Sequence, residues 1–246
     1  MGIPMKQSIA ILPARGGSKR IPKKNIKEFC GMPIIYWSVK AAFESMCFDE
    51  IIVSTDCEEI SEYSKSLGIN VPFVRPKHFS DDHSTTREVI NHAIDYLDST
   101  NKDYNLICCI YPTAALAIPE DIRIAKEMLQ QNQFNNVVFP ATNFSYPVER
   151  SFRINNNKEA EMMFPEYFNT RSQDLQSCYH DAGQFYWAEK DTWLKKENLF
   201  DGSTPLIIPN YRVQDIDNEE DWIRAEIMAK SLGQTNESFK HFSLHK

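Results

Sequence analysis

Hydrophobic positions along this chain alternate between two rhythms. Continuous apolar runs of strand length fall at residues 9–12, 51–54, 71–74, 105–111 and 137–140. Between them, apolar residues recur at helical spacing. Residues 34–45 begin next to Pro33 and carry Ile35, Val39 and Ala42 on one face, and Gly68 closes a second helical stretch at 58–67. Thr85 and Glu88 form a T-x-x-E capping box ahead of Val89, Ile90, Ala93, Ile94 and Leu97. Pro119 opens a further helix with Ile122, Ala125 and Leu129 inward. Strand signals return at 183–188 and 205–208, and a last helix spans 218–232, capped by Gly233. This alternation predicts an α/β fold: three layers, with a mostly parallel, doubly wound sheet covered by helices on both faces.

From 141 to 176 the rhythm fades into short strands, an Asn155-Asn156-Asn157 turn and clustered aromatics at Phe164, Tyr167 and Phe168. The excursion is either an arm that packs on a second copy of the chain or a lid on its own domain. No repeat, low-complexity tract or linker interrupts the rest, so residues 1–246 read as one domain with this appendage.

Composition narrows the classes available. A chain of 246 residues with 42% hydrophobic content can bury a substantial core. No apolar run approaches the ~20 residues of a membrane helix. Met1-Gly2-Ile3-Pro4 lacks the charged start and apolar stretch of a signal peptide, and Met5 reads as the natural start. The six cysteines form no C-x-x-C pair, and Cys108-Cys109 lies inside an apolar run, which predicts reduced core thiols and a cytoplasmic protein. Cys178, near Arg171 and His180, is the one thiol with a partly cationic setting. The net charge of -7 argues against a nucleic-acid partner, because the basic residues concentrate in one loop rather than along a stripe.

That loop follows the first predicted strand. Arg15, Lys19, Arg20, Lys23 and Lys24 surround a Gly16-Gly17-Ser18 turn, five cations in ten residues that repel one another unless an anion sits among them. Glycines let the backbone approach oxygen atoms and let successive N–H groups converge as a nest, while Lys and Arg add charge-assisted hydrogen bonds. The spacing fits neither the Walker loop nor the dinucleotide turn. A polyphosphate site is the expectation, and a solvated basic loop is the alternative. A second constellation, Asp215 and Asp217, stands just before the last helix. In an extended segment both carboxylates share a face and suit Mg2+ completed by substrate phosphates. Equally, Asp217 with Glu220 makes a helix N-cap and leaves Asp215 exposed.

The stretch IAILPARGGSKRIPKKN at 9–25 resembles the N-terminal signature of the cytidylyltransferases that activate sialic and related nonulosonic acids with CTP. The resemblance extends to about residue 232. It implies a nucleotide-diphospho-sugar transferase-like fold and attack of the sugar acid's anomeric hydroxyl on the α-phosphorus of CTP, assisted by Mg2+. It further implies a homodimer in which the arm reaches across to its mate. Pro13, Ala14, Arg15, Gly16, Gly17, Ser18 and Lys19 are implied to wrap the nucleotide, with Arg15 and Lys24 on the triphosphate and Asn25 near the ribose. Ser54-Thr55-Asp56, Arg75-Pro76 and the S-D-D-H-S run at 80–84 resemble the family's second stretch, which implies Arg75, Ser84 and Thr86 around the cytosine. The D-I-D before E-D-W looks like the family's metal pair, Asp215 and Asp217, with Asp217 also the candidate general base.

Two stretches depart from the sialic-acid pattern. Tyr111-Pro112-Thr113-Ala114-Ala115 stands where the family usually has a glutamine followed by P-T-S-P. Farther on, Arg171 and residues 178–187 look like the sugar side, implying Arg171 on the sugar carboxylate and Tyr111, Thr113, His180, Gln184, Phe185 and Tyr186 around the ring. Strand packing claims at least one face of Phe185-Tyr186-Trp187. His180 stands where an arginine is usual, and Glu149 near a usual lysine. Contacts that are less cationic and more aromatic suit a sugar acid with more methyl and acetamido surface, and these stretches resemble the pseudaminic-acid branch of the family. N-acetylneuraminic, legionaminic and ketodeoxyoctulosonic acids are the alternatives. A glycosyltransferase lacks support because no D-x-D follows a mid-chain strand, and a non-catalytic nucleotide-binding protein sits poorly with an intact set of Arg15, Lys24, Asp215 and Asp217.

Overall fold

A computed structural model describes residues 7–132 and 136–234. The expectations for Met1 to Met5 lie outside the described residues.

Strand β1 (Ser8–Pro13) runs into the basic loop, and a small hairpin, β2 (Glu28–Phe29) with β3 (Met32–Pro33), leads to α1 (Ile35–Ser45). β4 (Glu50–Ser54), α2 (Glu58–Ser66), α3 (Thr86–Ser99), β5 (Leu106–Ile110), α4 (Pro119–Gln131) and β6 (Val138–Asn143) follow. Next come the β7 (Phe152–Ile154) and β8 (Ala160–Met162) ribbon, β9 (Tyr179–Asp181), β10 (Phe185–Glu189), α5 (Lys190–Lys195), β11 (Thr204–Ile207) and α6 (Glu219–Ser231). The main sheet has the order β11-β6-β10-β5-β1-β4, with β9 paired to β6. β1 is parallel to β4 and β5, and β11 to β6, whereas β10 is antiparallel to both of its neighbours. β10 and β9 therefore run against the other five strands.

Alternation along β1 builds both layers. Ala10 and Leu12 join the cluster that includes Ile35 and Val39 of α1, Ile122 of α4 and Trp222 of α6; Ile9 and Ile11 face Ile90 and Ile94 of α3 and Trp193 of α5. Both central tryptophans are satisfied as well as buried: Trp187 Nε1 donates to the Ile122 carbonyl at 3.1 Å and Trp193 Nε1 to the Ile107 carbonyl at 3.2 Å.

The Thr85–Glu88 capping box is present, and Gly68 and Gly233 take the left-handed φ of helix ends. Two expectations are corrected, and one helix was not expected. Residues 71–74 form no strand, because Pro72 has no N–H to give a ladder; only isolated bridges Ile52 to Asn70 and Thr55 to Val74 remain. The cap of α6 is Asn218 with Asp221, not Asp217 with Glu220. α5, six residues long, gave no periodic signal. Residues 144–178 protrude, exposing Phe152, Ile154, Met163 and Phe168. Cys108 and Cys109 are buried and free, as expected. Among the described residues no helix is long and apolar enough to cross a membrane.

Candidate active site

The basic loop is folded by its own polar groups. Ala14 N–H still donates to the Ser54 carbonyl at 2.9 Å, which carries the β1–β4 ladder one residue beyond the strand. Gly16 N–H donates to Asp56 Oδ1 at 2.9 Å, Ser18 N–H to the Gly16 carbonyl at 3.1 Å, and the buried Asn25 Nδ2 to the Arg15 carbonyl at 2.9 Å. The Ala14, Gly16 and Ser18 N–H groups are thus committed to the protein, and the loop's side chains Arg15, Ser18, Lys19 and Lys24 supply donors to the cleft beside it. The two glycines differ. A Cβ on Gly16 would lie 2.8 Å from the Cys57 Cβ, whereas one on Gly17 would meet nothing within 4 Å. Gly16 is packed against the start of α2, and Gly17 has open space beside it.

A cleft of about 540 Å³ opens beside this loop. Pro13, Arg15, Ser18, Lys19, Lys24 and Asn25 line it together with Arg75, Ser84, Thr86, Tyr111 and Thr113, so residues from separate stretches converge, whereas Ala14, Gly16 and Gly17 do not line it. Arg75 is buried, with Nε on Ser80 Oγ at 3.0 Å and Nη2 3.9 Å from Asp56; burial pushes its pKa down while Asp56 pushes it back up. Ser84 Oγ donates to Asp81 Oδ1 at 2.9 Å and holds the 81–84 turn. Thr86 Oγ1 lies 2.8 Å from the Tyr111 hydroxyl, whose pKa burial raises to about 12.

Four of the five loop cations have carboxylate partners within the protein, while Arg20 and Arg15 still act against the charge of Lys24. Arg15 and Lys19 both pair with Asp82, at 2.8 and 2.5 Å, and Arg15 also donates to the Asp81 carbonyl at 2.8 Å. Arg20 pairs with Asp217 at 2.6 Å and Lys23 with Glu59 at 2.7 Å. Lys24 Nζ donates to the Ile216 carbonyl at 2.7 Å, between the two aspartates of the D-I-D segment. Burial lowers the Lys24 pKa against the opposing pull of Asp217 and Asp215; burial and then the Asp217 charge raise that of Asp215. Two carboxylates close enough to repel fit a divalent cation, and phosphate oxygens and water would complete its shell. Among the described residues no cluster of three or more His, Cys, Asp or Glu forms an all-protein cage.

The expected sugar side is only partly assembled. Tyr111 and Thr113 line the cleft, but Phe185 is fully buried in the core cluster that contains Trp187, because β10 turns its odd residues to that layer; its expected substrate contact is corrected. Tyr186, on the opposite face, is 3% exposed and stands behind Tyr111, with ring centroids 5.5 Å apart. Gln184 is buried off the cleft, its Nε2 donating to the Arg212 carbonyl at 2.7 Å. His180 is exposed with its ring 4.7 Å from that of Phe144, and Arg171 sits on the arm, paired to Asp174 at 2.7 Å. Neither lines the cleft. Asp82 and Asp181 were missed: Asp82 lay unweighted within S-D-D-H-S, and nothing local marked Asp181 as a half-buried partner of Tyr186.

A basic loop at the end of a central parallel strand, facing paired carboxylates, defines a nucleotide-handling α/β protein. A family model described as cytidylyltransferase matches residues 9–200, and the chain belongs to that family. A pseudaminic acid cytidylyltransferase of Campylobacter jejuni is 41% identical over 91% of this chain and 97% of its own. A CMP-N,N'-diacetyllegionaminic acid synthase of Legionella pneumophila is 29% identical over 89% of this chain and 94% of its own. Among solved structures, CMP:2-keto-3-deoxy-manno-octonic acid synthetase complexed with CTP shares the fold, with a TM-score of 0.66 at 14% identity, covering 92% of this chain and 99% of that one. The family and fold expected from residues 9–25 are borne out, and the Campylobacter relative agrees with the reading of the Y-P-T-A and Y-H-D-A-G stretches.

Proposed function

We propose that this protein joins CMP to a nonulosonic acid, pseudaminic acid, at the expense of CTP. The anomeric oxygen of the sugar acid attacks the α-phosphorus, the bond from that phosphorus to the bridging oxygen of the β-phosphate breaks, and pyrophosphate leaves. The observation that carries this reading is the convergence of Arg15, Lys19 and Lys24 on one cleft, with the D-I-D segment hydrogen-bonded to Lys24, in a chain similar over nearly its whole length to a pseudaminic acid cytidylyltransferase.

In this reading Arg15 and Lys19 exchange Asp82 for oxygens of the triphosphate, and Lys24 neutralises charge as the leaving group departs. Asp215 and Asp217 would hold Mg2+, which supplies polarisation of phosphate oxygens. Asp217 takes the proton of the attacking hydroxyl or orders a water that does. Arg75 and Ser84 frame the base. Arg171 stands away from its own cleft on an arm rich in exposed apolar groups, which supports a homodimer whose arm brings Arg171 to the sugar carboxylate in the neighbouring cleft. Six free cysteines support a cytoplasmic setting.

The test is pyrophosphate release with CTP and Mg2+, comparing pseudaminic with N-acetylneuraminic acid. Release with pseudaminic acid alone is expected; release only with N-acetylneuraminic acid would keep the reaction and overturn the sugar. Asp217→Asn is expected to abolish most turnover at saturating Mg2+, and near-normal turnover would remove Asp217 from the mechanism.

A further inference from the structure

The segment that carries Asp215 and Asp217 lies between β11 and α6 and belongs to no strand or helix. No ladder sets its register, so side chains must. At its far end Asp221 Oδ2 accepts the Asp217 and Asn218 N–H groups, both at 3.1 Å. In its middle Ile216 is buried in the core cluster, and its carbonyl accepts Lys24 Nζ at 2.7 Å. Its near end is Arg212, the last residue of a 3-10 turn at Asn210–Arg212. Arg212 Nη1 and Nη2 donate to Asp121 Oδ2 and Oδ1 at 2.5 and 3.4 Å, and the Arg212 carbonyl accepts Gln184 Nε2 at 2.7 Å. Asp121 stands in the first turn of α4, and the two side chains are only 7% and 11% exposed.

An ion pair this deep adds little net stability, because desolvating both charges offsets their attraction, and a well-packed apolar pair can serve the fold as well or better. What a forked guanidinium–carboxylate contact adds is direction. Holding Arg212 at one end and Asp217 at the other leaves the intervening residues a single register. A slip of one residue would turn an aspartate toward the core and Ile216 toward solvent.

We propose that Asp121 and Arg212 are positioning residues for the divalent cation, their ion pair holding the D-I-D segment in the register that keeps both aspartates off the core. The inference deepens the proposed function and rests on its reading of Asp215 and Asp217 as cation ligands. Neither Asp121 nor Arg212 lines the cleft, so both act through the segment, which meets the cleft lining at Lys24 and at Arg20, paired with Asp217 at 2.6 Å.

The experiment uses the full chain with Asp121→Leu, Arg212→Met, the double variant and Arg212→Lys. Thermal denaturation reads the fold, and calorimetry reads CTP binding in saturating Mg2+ and again in EDTA. The tightening between the two conditions is the share that the cation contributes. Each single removal strands a buried charge and should melt well below wild type, whereas the double variant should regain most of that loss. Its CTP affinity in EDTA should match wild type. Most of its tightening by Mg2+ should be lost, on the scale of the roughly 10- to 100-fold that outer-shell partners contribute to metal affinity. Arg212→Lys keeps the charge but not the fork and should show part of the same loss. Folded double and Arg212→Lys variants that Mg2+ tightens as much as wild type would overturn the proposal. So would a CTP affinity that falls equally in Mg2+ and in EDTA, the mark of a merely structural role, and so would wild-type binding indifferent to Mg2+. A wild-type protein that releases no pyrophosphate with any sugar acid, but whose Mg2+-dependent CTP binding is lost with the pair, would sink the proposed function and leave the positioning role standing.

Discussion

Replacing Gly16 by alanine tests whether the first glycine of the basic loop serves the fold or the ligand. The added methyl would stand 2.8 Å from the Cys57 Cβ and 3.3 Å from its Sγ, both inside ordinary contact. Carbon pairs settle near 3.5–4.0 Å, so the loop and the start of α2 must part by roughly 0.7 Å or more. Overpacking of this kind costs about 1–3 kcal/mol. In a chain of this length each kcal/mol moves Tm by about 2–4 °C, which predicts a fall of about 2–12 °C. Gly17→Ala meets no atom within 4 Å and its φ is not positive, so it should gain about 0.4–1 kcal/mol through a less flexible unfolded chain. Adding Cys57→Gly to Gly16→Ala removes the obstructing Cβ, at a helix N-cap where glycine is tolerated, and should return most of the loss. Thermal denaturation of the four proteins by circular dichroism decides the matter. The reasoning fails if Gly16→Ala melts within about 1 °C of wild type, or if Gly17→Ala is equally damaged.

Two further perturbations address the charges. Burial opposes ionisation of Glu50, but hydrogen bonds from Lys102 at 2.8 Å, Tyr104 at 2.5 Å and Asn70 at 2.8 Å outweigh it and hold the pKa below the usual 4.5. A depressed carboxylate stabilises above its unfolded pKa and loses that contribution as pH falls through the folded value. Glu50→Gln should therefore cost about 1–2 kcal/mol in urea denaturation at neutral pH, with the gap closing below about pH 4; a gap that persists in acid would show the loss to be packing. Asp82→Asn frees Arg15 and Lys19 from their internal counter-ion and should tighten CTP binding at low salt, with the difference shrinking toward about 0.5 M salt. Weaker binding in a nucleotide titration would instead make Asp82 part of the nucleotide site.

What the sequence disclosed follows from the range of the interactions concerned. The Thr85–Glu88 box, the helix-ending glycines and the cation-rich turn each depend on neighbours within a few positions, and each was legible. Asp82 was not, because its pairs with Arg15 and Lys19 close only once α3 and β1 meet at the cleft. Phe185 was misplaced for a related reason. β10 is buried on both faces, so no polar position marks which of Phe185 and Tyr186 faces the core layer of Trp187. Pro72 was visible and underweighted: one missing donor was enough to dissolve a strand that its three apolar neighbours, Val71, Phe73 and Val74, suggested.

The reversed strand β10 also bears on how the chain comes together. β6 pairs with no member of the β4-β1-β5 group; within the sheet it is joined to that group only through β10. On a ribosome adding about 5–20 residues per second, the interval from the end of β6 to the end of β10 lasts about 2–9 s. Throughout it the Leu106–Ile110 edge, with its two cysteines, stands unpaired on one side, the condition that invites association with other nascent chains. The protruding arm is made in that same interval, so a long insertion there would lengthen the exposure of β5 without touching a residue of the cleft.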